Sequence, residues 1–158
     1  MFRQSIQIGA LVVASFVSAC GTDQTPTSEV PMGLGDVCSK ETRAPAFKAE
    51  LPFPNDTGYT VKLLSSDPAP PKVGDNAWKV ELDDTAGAPI AGAKITFVQL
   101  MVDHGHGGSK NPKIEELGAG QYSLGPVNFN MAGYWENYLT VSKDALATKL
   151  TIKVCVLE

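Results

Sequence analysis

Apolar and polar residues alternate in short runs through most of the chain after residue 58. In residues 77–82, Trp78, Val80 and Leu82 fall on one side and Lys79 and Glu81 on the other, the period of a strand with one buried face. The same period marks 59–65, 93–102 and 149–157. In the second of these Ile95, Phe97, Gln99 and Met101 share a face. In the third, Leu150, Ile152, Val154 and Val156 oppose Thr151, Lys153, Cys155 and Leu157. Shorter strands are predicted at 113–117, 121–124 and 126–130, and a longer one at 133–141. Residues 67–75 carry three prolines and a glycine, which cannot continue a ladder and predict a surface connection. Residues 83–89 predict a turn, and 144–148 at most a single helical turn. Short strands, frequent turns and no amphipathic helix predict an all-β chain, an antiparallel immunoglobulin-like β-sandwich of about seven strands.

The first 36 residues follow a different pattern. Arg3 precedes an apolar run over 6–17, too short to act as a membrane-spanning stop-transfer helix, and the run ends in Val17-Ser18-Ala19-Cys20. That ending resembles the lipobox of bacterial lipoproteins. The resemblance implies a signal peptide over 1–19 and a diacylglycerol on the thiol of Cys20. Gly21 stands where an inner-membrane retention signal would place Asp, which favours the outer membrane over the inner for a lipid-anchored, periplasm-facing protein. Residues 20–36, rich in Thr, Pro and Gly, predict a flexible tether, and 37–158 a single domain large enough to bury its own core.

An exported domain changes the meaning of its cysteines. With Cys20 lipidated, Cys38 and Cys155 remain, in an oxidising compartment, and a disulfide joining the two ends of the domain is expected. Closing so long a loop would stabilise the fold by roughly 4–5 kcal/mol in the chain-entropy description. Two free thiols serving as soft metal ligands are the alternative. The net charge of −4, with no basic stripe, gives nucleic-acid binding no electrostatic support.

The two histidines of the chain stand two residues apart, in Met101-Val-Asp-His-Gly-His-Gly-Gly-Ser109. In an extended segment, residues two apart project to one side, so His104 and His106 can address one point, with glycines letting the backbone fold around it. Met101 ends the preceding strand. Met131, in a loop leading to another strand, is a further thioether at the same end if the loops meet. Imidazole with thioether suits copper: Cu(I) accepts soft sulfur, Cu(II) accepts imidazole, and zinc seldom uses thioether. The candidate metal ligands are therefore His104, His106, Met101 and Met131, and the cofactor copper. A structural turn, its imidazoles bonded to backbone carbonyls and Met131 filling the core, stays open beside this reading. Asp103 is either an acceptor that orients an imidazole or a solvated loop residue. Trp78 and Trp135 are expected in the core, with Trp135 also placed to shield a metal.

The run Met-x-x-His-Gly-His-Gly, followed by Gly-x-Gly-x-Tyr and Asn-x-x-Met-x-Gly-x-Trp-Glu, resembles the YtkA-like domain, related to FixH-like exported proteins, over most of 58–157. Its landmarks here are Met101, His104, Gly105, His106, Gly107, Gly118, Gly120, Tyr122, Met131, Gly133, Trp135 and Glu136. The resemblance implies an exported β-sandwich, often a lipoprotein, associated with copper handling or with assembly of copper-dependent oxidases. Val102 departs from the pattern at a position where proline is frequent.

No nucleophile elbow, phosphate loop or Cys-x-x-Cys is present, and the paired acids Asp83-Asp84 and Glu115-Glu116 read as solvated turn and strand-end residues. The expected protein is thus not an enzyme and has no small organic substrate. It is a copper chaperone or buffer, attached to the membrane by its lipid and serving a copper-acceptor protein. The competing expectation is a metal-free immunoglobulin-like interaction lipoprotein.

Overall fold

The computed structural model describes residues 37–158; the expected signal peptide, Cys20 and tether lie outside the described residues. Among the described residues eight strands form: β1 (Leu51–Pro54), β2 (Thr60–Asp67), β3 (Gly74–Asp83), β4 (Lys94–Met101), β5 (Lys113–Gly118), β6 (Gln121–Phe129), β7 (Gly133–Lys143) and β8 (Leu146–Val156). All pairings are antiparallel, in a five-stranded sheet of order β1-β2-β3-β6-β5 and a three-stranded sheet of order β4-β7-β8. The β-sandwich is the predicted one.

The alternating runs bury the side they predict. Trp78, Val80 and Leu82 of β3 meet Leu139 and Val141 of β7 and Leu150, Ile152 and Val156 of β8 in one core, while Lys79 and Lys153 stay outside. The connection after β2 crosses between the sheets. The Val73 N–H donates to the Leu157 carbonyl (2.8 Å) and the Leu157 N–H to that of Pro71 (3.0 Å).

Three differences from the sequence reading have physical causes. Strand β1 went unpredicted because prolines stand at 52 and 54. On an edge strand alternate N–H groups face solvent, so prolines there cost no ladder bond, and Leu51 and Phe53 point inward between them. The two strands expected at 121–124 and 126–130 are one, β6. A bulge absorbs Gly125 and Pro126 where Trp78 pairs Leu124 and Asn76 pairs Val127. In place of a helical turn after residue 143, Asp144 and Ala145 make a tight hairpin, with Asp144 in the left-handed region that Asp tolerates (φ 51°).

Cys38 and Cys155 are bonded to each other, with Cα atoms 5.6 Å apart, so neither sulfur is a free thiolate ligand. The bond lies on the outer face of β8, opposite the apolar row, and holds the N-terminal segment against the three-stranded sheet. Within that segment Ala44 is buried and Phe47 packs on the core. On the same outer face, the Tyr134 and Tyr138 hydroxyls donate to the two oxygens of Glu136 (2.6 and 2.5 Å). These two donors hold the Glu136 carboxyl below its usual pKa.

The 102–112 loop is pinned at its far end. Ser109 Oγ donates to Asn128 Oδ1 (2.6 Å), Asn128 Nδ2 to Asp75 Oδ1 (2.6 Å), and Lys110 Nζ pairs with Asp75 Oδ2 (2.6 Å). Gly108 passes between β4 and β6 so closely that a Cβ there would stand 2.4 Å from the Asn128 carbonyl oxygen and 2.5 Å from Gln99 Oε1.

Two outcomes follow from this packing. Gly108→Ala lowers unfolding stability by about 1–3 kcal/mol in denaturant titration, the range of core overpacking, because backbone rather than a flexible side chain must give way. Tyr138 ionises at about 12, raised first by its bond to Glu136 and then by burial, against an ordinary 10.0. A raised acid pKa gives stability that is complete below the unfolded value and lost as pH rises through the folded one. The thermal midpoint should therefore fall between about pH 10 and 12, and fall less in Tyr138→Phe.

Candidate metal centre

The register of β4 on β7 sets Met101 opposite Trp135 at one end of the sandwich. From there the chain turns back on itself at once. The Met101 carbonyl accepts the N–H groups of His104 (3.2 Å) and Gly105 (2.8 Å), and the Met101 N–H donates to the His106 carbonyl (2.8 Å). Gly105 supplies the left-handed residue that this turn needs (φ 69°). The histidines are thus brought together by a closed turn and not by the strand alternation that the sequence suggested. Their ring centres are 5.9 Å apart and nearly perpendicular.

A metal–nitrogen bond of about 2.0–2.1 Å puts the ion roughly 3 Å from a ring centre, so two rings ~6 Å apart can share one ion at a wide angle. His106 Nδ1 lies 3.1 Å from the Gly107 carbonyl oxygen. A carbonyl only accepts, so in the tautomer that makes this bond Nδ1 donates and Nε2 is the nitrogen left for a metal. The same contact is also what a purely structural turn makes.

The two methionines are placed differently. Met101 is buried at the base of the turn, its methyl 2.9 Å from where a Cβ on Gly133 would stand. Met131 lies in the turn between β6 and β7 and is 39 % exposed. It is tied to the histidine loop through Trp135, whose indole N–H donates to the Met131 carbonyl (3.0 Å) while the ring meets His106 edge-on at 5.6 Å. Trp135 thus stands in the core and against the imidazole at once. Among the described residues no three His, Cys, Asp or Glu side chains gather in a metal-holding group. The donors that the described residues offer at and beside this turn are the two imidazoles, with the Met101 and Met131 side chains on the flanking strand end and turn.

The hydrogen bonds of Asp103 go to Arg43. Arg43 takes both of its carboxylate oxygens in a fork (Nη1–Oδ1 2.6 Å, Nη2–Oδ2 2.7 Å) and also grips Glu41 through Nε (3.0 Å) and Nη2 (2.7 Å). The guanidinium lies 4.2 Å over the Tyr134 ring. This cation holds the carboxyls of Asp103 and Glu41 below their usual pKa. Sequence reasoning missed Arg43, which sits 60 residues from Asp103 in a stretch without strand or helix period. It also placed Asp83 on a solvated turn, whereas Asp83 is buried and paired with Lys62 (2.7 Å).

Comparison with known proteins places this geometry in context. No curated protein sequence matches the chain. Among solved structures, a copper-bound variant of FetP from a uropathogenic Escherichia coli strain is similar with a TM-score of 0.46 and 7 % identity. The likeness covers 72 % of this chain and 96 % of that one. The profile of the YtkA-like family matches residues 54–140, which hold the turn, both histidines, both methionines and Trp135. That span is more than half of the sequence, and the chain belongs to the YtkA-like family.

Proposed function

We propose that the protein is an exported, lipid-anchored copper-binding module, a chaperone or buffer and not an enzyme. The ion sits between His104 and His106, with the thioethers of Met101 and Met131 as further donors. The observation that carries this reading is the pair of imidazoles 5.9 Å apart around a turn already closed by backbone hydrogen bonds. Such a turn needs little reorganisation to take up an ion, so little binding energy is lost to ordering it. His104 is exposed and His106 partly so, which leaves a coordination position open to a ligand from an acceptor protein. Thioether sulfur favours Cu(I), and bound copper would supply a soft, exchangeable cation at the open end of the sandwich.

A second reading has its own support. The turn is closed by its own backbone hydrogen bonds, and Val98 and Val102 on and after β4 expose apolar surface, as a protein-binding face would. In that case the loop shapes an interface and binds no copper.

A competition titration with a Cu(I) chelator, on the full chain in detergent, separates the two. The copper reading expects one-to-one binding that is lost in His104→Ala/His106→Ala. Met101→Leu and Met131→Leu should each weaken Cu(I) more than Cu(II). A wild-type chain that takes no Cu(I) from the chelator leaves the interaction reading standing.

A further inference from the structure

We propose that Arg43 is a positioning residue for the metal turn. It is delivered from outside the family's matched region by the disulfide-held N-terminal segment, and it fixes the turn by clamping Asp103. The inference rests on the copper reading for its consequence, and on geometry alone for the clamp.

Asp103 lies inside the turn, between Met101, which closes it, and His104, which would bind the ion. Its carboxylate is held by two parallel hydrogen bonds in the planar fork that only arginine provides. The fork is itself fixed on two other sides. Glu41 holds Nε and Nη2 from the same segment, and the Tyr134 ring lies beneath, its hydroxyl committed to Glu136. Three residues before Glu41, Cys38 is bonded to Cys155 on β8. The turn is therefore tied to β7 and β8 by a path that does not pass through the backbone of β4.

Stability is a poor explanation for the arrangement. Arg43 and Asp103 side chains are 44 % and 47 % exposed, and exposed ion pairs contribute little to folding. What a bidentate pair on a stacked guanidinium does supply is direction. Glu41, Arg43, Cys38 and Cys155 all lie outside residues 54–140, whereas Asp103 and Tyr134 lie within them.

Electrostatics and positioning make opposite forecasts, which lets the idea be tested. If charge alone mattered, Arg43→Gln would strengthen cation binding by exposing two carboxylates, and Asp103→Asn would weaken it. Positioning expects both variants to weaken Cu(I) binding in the same direction, by about tenfold, the lower end of what orienting partners of metal ligands contribute. The double variant should be no weaker than the worse single one.

The decisive companion measurement needs no metal: amide hydrogen exchange of the full chain in detergent, followed in peptides covering 101–106. Both variants should speed exchange there several-fold while peptides from β7 and β8 remain protected. Unchanged exchange at 101–106, or affinities that move in opposite directions, overturns the proposal. A wild-type chain without copper affinity sinks the functional reading instead, and exchange alone then decides the clamp.

Discussion

Trp135 is fully buried where β7 leaves the turn at 130–132, and its indole N–H reaches the Met131 carbonyl. Its ring edge meets His106 on one side and Phe129 of β6 on the other, at 5.6 and 5.1 Å. Across the β4–β7 ladder its backbone partner is Met101, whose own backbone closes the histidine turn. One large side chain thus joins both sheets, the β6–β7 turn and the histidine loop. Burial of an indole of this size contributes several kcal/mol, and truncating it to Ala costs about 3–5 kcal/mol in comparable cores. The energy that closes the sandwich at this end is the same energy that fixes where the imidazoles stand.

The loop between β4 and β5 is accordingly unlike a free surface loop. Arg43 holds it at Asp103, the Met101–His106 hydrogen bond closes it, and Asn128 with Asp75 fixes Ser109 and Lys110. Between these anchors His104 is exposed and His106 partly exposed. Rigidity beneath and exposure above is the combination that a transfer site for a soft metal needs, since the ligands must be in place before the ion arrives yet reachable by the next protein.

Much of this was legible in the sequence, and the parts that were not share a cause. Trp78, Val80 and Leu82 in β3 and the Leu150-to-Val156 row in β8 announced their strands, because a half-buried strand must alternate. The pairing of Cys38 with Cys155 was legible from the expectation of export and the count of cysteines. Strand β1 was hidden by its own prolines, and β6 was split at Pro126, because residue-level propensity does not know which strand is an edge or where a bulge will sit. The histidine pair was legible as chemistry, since the two histidines lie two residues apart, but its geometry was reached by a turn that strand periodicity does not describe. Arg43 left no trace, because an ion pair across 60 residues has no period and its sequence neighbours form no element. The link from Met131 to His106 likewise runs through a tertiary contact of Trp135, which spacing alone does not reveal.

The central claim is that this end of the sandwich binds copper with imidazole and thioether together. X-ray absorption spectroscopy of the full chain loaded with one equivalent of Cu(I) tests it most directly. The account predicts a first shell of two imidazole nitrogens and at least one sulfur, with the sulfur contribution reduced in Met101→Leu or Met131→Leu. A shell of nitrogen and oxygen alone, unchanged by either substitution, would contradict it.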